Sequence, residues 1–197
     1  MERNECPVIS AVRLVNWHGY TDKTFLIGDI TLIYGKNAHG KSAFLDALAY
    51  GLIGDTDFNA AAGNGKRTGK RTLVSYNRKL IDYNDDGTFR YERDPGTVSY
   101  IFIQFGEGGR DSQSVLGTAF WVTTQGNNVT RRFIANGRNV ESFEVYSRDG
   151  ERKRVLSFHE FSSKNGISPI QGNDTEALLE FAYAYGFMAR GQSALKV

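Results

Sequence analysis

The sequence predicts an α/β fold in which a P-loop strand–helix unit stands beside a strand-rich, mostly antiparallel sheet, and three observations carry that prediction. Residues 30–34, Ile-Thr-Leu-Ile-Tyr, are nearly continuously apolar, as suits a strand covered on both faces. Gly35-Lys-Asn-Ala-His-Gly40-Lys41-Ser42 follows with the spacing G-x-x-x-x-G-K-S and leads into apolar residues of helical period. From residue 87 onward, strand-like segments alternate with turns rich in Gly and Asn.

Each residue type in the loop has a physical reason. Gly35 and Gly40 allow backbone conformations that a Cβ would obstruct, so that successive N–H groups can converge on phosphate oxygens. A helix starting near Lys41 directs its positive dipole end at the same anion. Lys41 adds a point charge for the β- and γ-phosphates and is the expected catalytic residue, while the Ser42 hydroxyl completes the shell of a Mg²⁺ ion. Lys36, Asn37, Ala38 and His39 fill the free positions and Ala43 follows Ser42, so the expected nucleotide-binding set runs over 35–43. His39 reads as a solvent-facing loop residue, not a base.

In chain order, 8–15 is β-rich and 16–20 reads as a turn carrying Trp17 and Tyr20. A second strand is expected over 21–27, a tight connection at 28–29 and the third strand at 30–34. In the helix after the loop, Phe44, Leu45, Leu48 and Leu52 form the core stripe, Ala43, Ala47 and Ala49 allow close approach, and Gly51 and Gly54 mark a fraying end. Gly63, Gly65 and Gly69 then indicate a surface segment, after a helical turn at 60–62. No acidic residue lies between Asp57 and Asp82, whereas Lys66, Arg67, Lys70, Arg71, Arg78 and Lys79 all do. This basic stretch suits contact with phosphates, of DNA or of the nucleotide, or a solvated loop.

A short helix is expected over 73–80 with Tyr76 inward, then a hairpin turn at 84–87. Strands are expected at 88–93, 97–105, 116–124, 129–135 and 140–146, with Phe102, Phe120, Trp121 and Phe133 as their core. Arg148, Arg152, Lys153 and Arg154 form a further basic surface. Helices are expected at 155–164 and at 176–188, the second from the spacing of Leu178, Leu179, Ala182, Tyr183 and Phe187. His159, with no His or Cys companion, reads as structural. The parts are thus a P-loop core at 8–55, a basic loop and short helix at 56–86, a strand-rich lobe at 87–150 and a helical end at 151–197, all within one domain.

At 197 residues and 40% hydrophobic, the chain can bury a core. A single cysteine, Cys6, excludes an internal disulfide framework and a multi-cysteine zinc site, and points to a reducing compartment. No apolar run approaches a membrane span and the polar start lacks the apolar core of a signal peptide, so a cytoplasmic protein is expected. A formal charge of +2 decides nothing about nucleic acid.

Residues 12–25 and the loop with its helix, 35–48, resemble the amino-terminal head of SMC-type chromosome-organising ATPases. Phe58-Asn-Ala-Ala-Ala62, Arg71-Thr-Leu-Val-Ser-Tyr-Asn-Arg78 and Val98-Ser-Tyr-Ile-Phe-Ile-Gln-Phe105 are similar to stretches of the MukB-like condensins, the branch that includes JetC of Wadjet plasmid defence and its MksF relatives. The resemblance implies the amino-terminal lobe of an ABC/SMC-type head that binds ATP and Mg²⁺ and is nucleoid-associated. It implies a carboxy-terminal head lobe, a second head, a kleisin-type subunit and double-stranded DNA as partners. By the same resemblance Asn16 and Trp17 approach the adenine side, with packing as an equal reading for Trp17, one of Gln104, Gln113 and Gln125 reaches the metal, and Lys66, Arg67, Lys70 and Arg71 meet DNA.

The sequence departs from such heads in lacking a heptad run, an apolar run ending in Asp-Glu and a Leu-Ser-Gly-Gly signature. The 197 residues therefore read as half of an ATPase site. Two other readings stand beside this one: a nucleotide-gated interaction module without hydrolysis, and a self-contained P-loop kinase or GTPase. The last lacks an Asn-Lys-x-Asp guanine motif.

Overall fold

The computed structural model describes residues 8–37, 39–58, 71–106, 113–149 and 152–170. In chain order the elements are β1 (Ile9–Trp17), β2 (Tyr20–Leu26), α1 (Lys41–Ile53), α2 (Leu73–Arg78), β3 (Leu80–Tyr83), β4 (Phe89–Tyr91), β5 (Ser99–Phe105), β6 (Ser114–Val122), β7 (Asn128–Asn136), β8 (Tyr146–Asp149), β9 (Arg152–Val155) and α3 (Phe158–Asn165). Five strands form one antiparallel sheet in the order β2-β1-β5-β6-β7, while β3–β4 and β8–β9 are separate hairpins. The expected boundary between a P-loop core and a strand-rich lobe is therefore crossed by the sheet, because β1 pairs with β5.

Alternation along each strand divides the core in two. Val12, Leu14, Ile101, Ile103, Leu116 and Phe120 face α1 and α2, whereas Ala11, Val15, Tyr100, Phe102, Val115 and Phe133 face α3 and the segment before β8. Trp17 breaks the pattern. Its odd position belongs with Ala11 and Val15, yet it is buried on the α1 side. The left-handed backbone at Asn16 (φ 52°) supplies the change of phase, and Trp17 is the last residue of β1 instead of part of a turn.

Four expectations are corrected. Residues 30–34 form no strand, and Ile30, Leu32 and Tyr34 are 94%, 80% and 85% exposed. Their pattern calls for cover on both faces, and among the described residues no strand lies beside them to give it. Residues 140–146 hold a 3-10 turn, Val140–Ser142, started by Asn139, whose side chain accepts from the Ser142 amide. The carbonyls of Val140 and Phe143 are taken by the buried Arg13 guanidinium at 3.0 and 3.1 Å, which removes acceptors that a ladder would need. Within α1, Leu45 is half exposed and the buried face is Ala43, Phe44, Ala47, Tyr50 and Gly51. Gly51 is no fraying end: a Cβ there would sit 2.8 Å from Ile103 Cδ1, so it marks the closest approach of helix to sheet, and Gly54 forms the left-handed cap.

Most other elements fall near their expected places. Tyr76 is buried on α2, the turn at 84–87 joins β3 to β4, and Phe102, Phe120 and Phe133 are buried, with Trp121 partly so. Basic residues 148 and 152–154 lie in the β8–β9 hairpin, and His159 is exposed, not buried as a structural histidine. The turn at 60–62 and the helix at 176–188 fall outside the described residues.

The far end of α1 is fixed by Arg132 of β7. Its buried guanidinium donates to the Tyr50 and Gly51 carbonyls at 3.1 and 2.9 Å and to Thr118 Oγ1 at 2.7 Å. A cation against the last carbonyls also complements the helix dipole. Arg132→Met keeps bulk but takes the guanidinium away from the Gly51 carbonyl and Thr118 Oγ1, while Tyr50 keeps the Gly54 amide, so it lowers stability by about 2–4 kcal/mol. Urea denaturation checks this.

Candidate functional site

The loop over 35–42 takes the shape its residue types require. Gly35 (φ 151°) and Gly40 (φ 90°) occupy backbone regions unfavourable to other residues. Gly40 is the residue before the first turn of α1; no side chain caps that end and no acidic residue lies in the first turn. The first-turn amides are thus left for an anion, with Ser42 among them. Lys41 Nζ curls back to the carbonyls of Gly35 (2.6 Å) and Lys36 (2.8 Å), which sets its charge over the loop. His39 is exposed, its Nδ1 2.9 Å from the Asn37 carbonyl, as expected of a loop residue. Ala38 lies outside the described residues.

Two aromatic residues of the β1–β2 hairpin hold this end of the helix. Tyr20 Oη donates to the Gly40 carbonyl at 3.1 Å, and a Cβ on Gly40 would lie 2.5 Å from that same oxygen. Glycine is therefore demanded twice there, by its backbone angle and by Tyr20. Trp17 Nε1 donates to the Ala43 carbonyl at 2.7 Å, and its ring stacks on Tyr76 at 4.7 Å between centroids. Tyr76 Oη in turn donates to Asp46 on α1, and Arg71 Nη1 stands 3.6 Å from the same carboxylate. Burial, followed by the bond to Asp46 and its charge, pushes the Tyr76 phenol far above its usual range. None of these second supports was visible as a motif, although Asp46, an acid in an otherwise apolar stripe, is the kind of residue that signals one.

The structure redistributes several expected site residues. Trp17 is fully buried and Asn16 donates its amide to the Val98 carbonyl at 3.3 Å, so both are committed to packing instead of to a base. Gln104 is on the sheet face opposite α1: its Oε1 accepts from the Val140 amide and its Nε2 donates to Ser10 Oγ, both at 3.0 Å. It is a structural bridge and not the metal ligand expected beside Ser42. Gln113 and Gln125 lie at the two ends of the β6 strand, Gln125 in the exposed turn to β7. Of the four residues expected on DNA, Lys66, Arg67 and Lys70 fall outside the described residues, and Arg71 is turned toward Asp46.

A cleft of about 600 Å³ adjoins the loop, lined by Tyr20, Phe25, Ile33, Tyr34, His39 and Lys41 among others. Its size is that of a small-molecule site. Residues 9–65 match a family model described as the P-loop containing region of AAA domain. No curated protein matches the chain. The matched stretch takes in β1, β2, the loop and α1, so that part of the chain is similar to the P-loop region of AAA domains. Among the described residues no helix is long and apolar enough to cross a membrane.

His18 joins the hairpin to α2. Its amide donates to the Tyr76 carbonyl at 2.7 Å, its carbonyl accepts from Arg93 at 2.9 Å, and its own φ is 49°. Burial first, then the charges of Arg71, Lys79 and Arg93, hold its imidazole below the usual histidine pKa. The unfolded chain therefore takes up this proton at a higher pH than the folded one. Stability from this site is full above about pH 6.5 and is lost as pH falls through the lowered folded value. Urea midpoints of the native protein should fall on going from pH 7 to pH 5, and His18→Asn, which tolerates a positive φ, should flatten that fall.

Proposed function

We propose that the chain is the ATP-binding half of an SMC-like, MukB-type condensin head, part of a motor that organises or extrudes DNA in plasmid defence or chromosome maintenance. The observation that carries the half-site reading is the apolar stretch 30–34, which enters Gly35 directly and lies exposed. In a strand–loop–helix unit the strand feeding the loop belongs inside a sheet, covered on both faces. Among the described residues none supplies that cover, and a neighbouring body would. A carboxy-terminal lobe that supplied them would also bring the water-polarising Asp-Glu and the signature facing the nucleotide, neither of which occurs in this sequence. A second head, a kleisin-type subunit and double-stranded DNA complete the proposed assembly by resemblance.

The loop's residues fit a Mg²⁺-bound triphosphate. Free first-turn amides of α1 would receive phosphate oxygens, and Lys41 would exchange its bonds to the Gly35 and Lys36 carbonyls for phosphate. Ser42 would hold the ion, which when bound neutralises the developing charge on the phosphates. Tyr20 and Trp17 keep the loop and helix in place while this exchange occurs. Phosphoryl transfer depends on positioning and charge, so a lobe without the facing carboxylate binds ATP but leaves it intact.

Calorimetry with ATP and Mg²⁺ should show binding to the isolated chain. Lys41→Ala should weaken it about 10- to 100-fold, the worth of a charge-assisted hydrogen bond, and phosphate release should be undetectable. Sustained turnover by the isolated chain, abolished by Lys41→Ala, would contradict the half-site. The DNA part of the reading is tested separately. Replacing Lys66, Arg67 and Lys70 by Ala, with Arg71 left in place on Asp46, should weaken DNA binding and flatten its dependence on salt, by about one unit of log–log slope per lost phosphate contact.

A further inference from the structure

The β3–β4 hairpin stands outside the five-stranded sheet and carries an aromatic stripe. Register places Tyr83 opposite Phe89 and Leu80 opposite Tyr91, so Tyr83, Phe89 and Tyr91 share one face. Their rings follow one another at 5.2 and 6.1 Å between centroids, and at the root end the Arg78 guanidinium lies 4.2 Å over the Tyr91 ring. Phe89 is 51% and Tyr83 36% exposed, and the extra residue of the bulge, Ile81, is half exposed. A two-stranded hairpin is marginal in water by itself. This one is rooted by Arg93, which donates to the carbonyls of Asn16, His18 and Asn77, and by the Lys79–Glu92 ion pair.

Charge runs along the same stripe in one direction. The turn at the tip holds Asp85 and Asp86, Asp82 and Arg90 stand opposite each other on the other face, and Arg78 closes the root over Tyr91. Acid at one end and a cation at the other make the face complementary to itself only when two such faces run antiparallel. A two-fold axis imposes that arrangement. Two carboxylates at the tip would repel a phosphate backbone, which argues against nucleic acid on this face.

We propose that this aromatic face pairs with the same face of a second copy, the hairpins antiparallel, each Asp85–Asp86 turn against the other copy's Arg78. The half-open rings of two copies amount to roughly 600 Å² of buried surface, below the range of stable complexes, so the dimer is weak and forms only at high protein concentration. It requires no nucleotide and stands independently of the half-site reading.

Sedimentation equilibrium of the 197-residue chain from 20 to 500 μM, without nucleotide, tests this. The expected result is a monomer–dimer equilibrium weakened several-fold between 50 and 500 mM salt. Phe89→Glu should abolish it at an unchanged melting temperature. Asp85→Lys, on an exposed turn that does not depend on this side chain, should weaken it about three- to tenfold, as should Arg78→Glu, and the two together should recover it. A monomer throughout the concentration range would overturn the proposal. So would a dimer indifferent to both Phe89→Glu and Asp85→Lys.

Discussion

The bond from Trp17 Nε1 to the Ala43 carbonyl is the contact on which the rest of the site depends. It joins the end of β1 to the first turn of α1, within two residues of Lys41. A fully buried indole can make it only because Asn16 adopts a left-handed conformation that turns the ring toward the helix. That conformation is unfavourable for a residue with a side chain, by roughly 1 kcal/mol or more, and it persists because its surroundings over-determine it. The Asn16 carbonyl receives Ser99 Oγ at 2.6 Å and Arg93 at 3.2 Å, while its amide reaches Val98. Backbone strain near the loop is thus offset by polar contacts from β5 and from the root of the β3–β4 hairpin.

From this contact a continuous set of supports runs along α1. Tyr20 holds Gly40, Trp17 holds Ala43, Tyr76 and Arg71 hold Asp46, and Arg132 holds Tyr50 and Gly51. The helix is fastened at every turn, yet among the described residues the stretch that leads into the loop is tied only locally, by Thr31 to Gly28. Stability and incompleteness therefore meet at Gly35. A loop so placed has a rigid wall on the helix side and an open one on the side of residues 30–34, which is how a site shared between two bodies would be built.

Much of this was legible in the sequence. The glycines, Lys41 and Ser42 define the loop because their chemistry is local, and β5 to β7 are readable because hydrophobic alternation and turn residues agree there. What failed was non-local. Residues 30–34 have the composition of a covered strand, but composition carries no information about whether the neighbouring strand is present. Residues 140–146 lost their ladder to Arg13, more than a hundred residues away in the chain. Gln104 has the right type for a metal ligand, and only its position in the alternation of β5 shows that it points to the other face. Trp17 was set at a turn because nothing in its neighbours announces the phase change at Asn16.

The central claim is that the amides following Gly35 receive the phosphates of a nucleotide while the stretch before it waits for another body. Residue-resolved hydrogen exchange on the isolated chain, with and without ATP and Mg²⁺, tests both halves at once. Slowed exchange at residues 35–43 on adding nucleotide, with residues 30–34 still exchanging fast, is the predicted result. Unchanged exchange at 35–43, or residues 30–34 already protected in the chain alone, would contradict it.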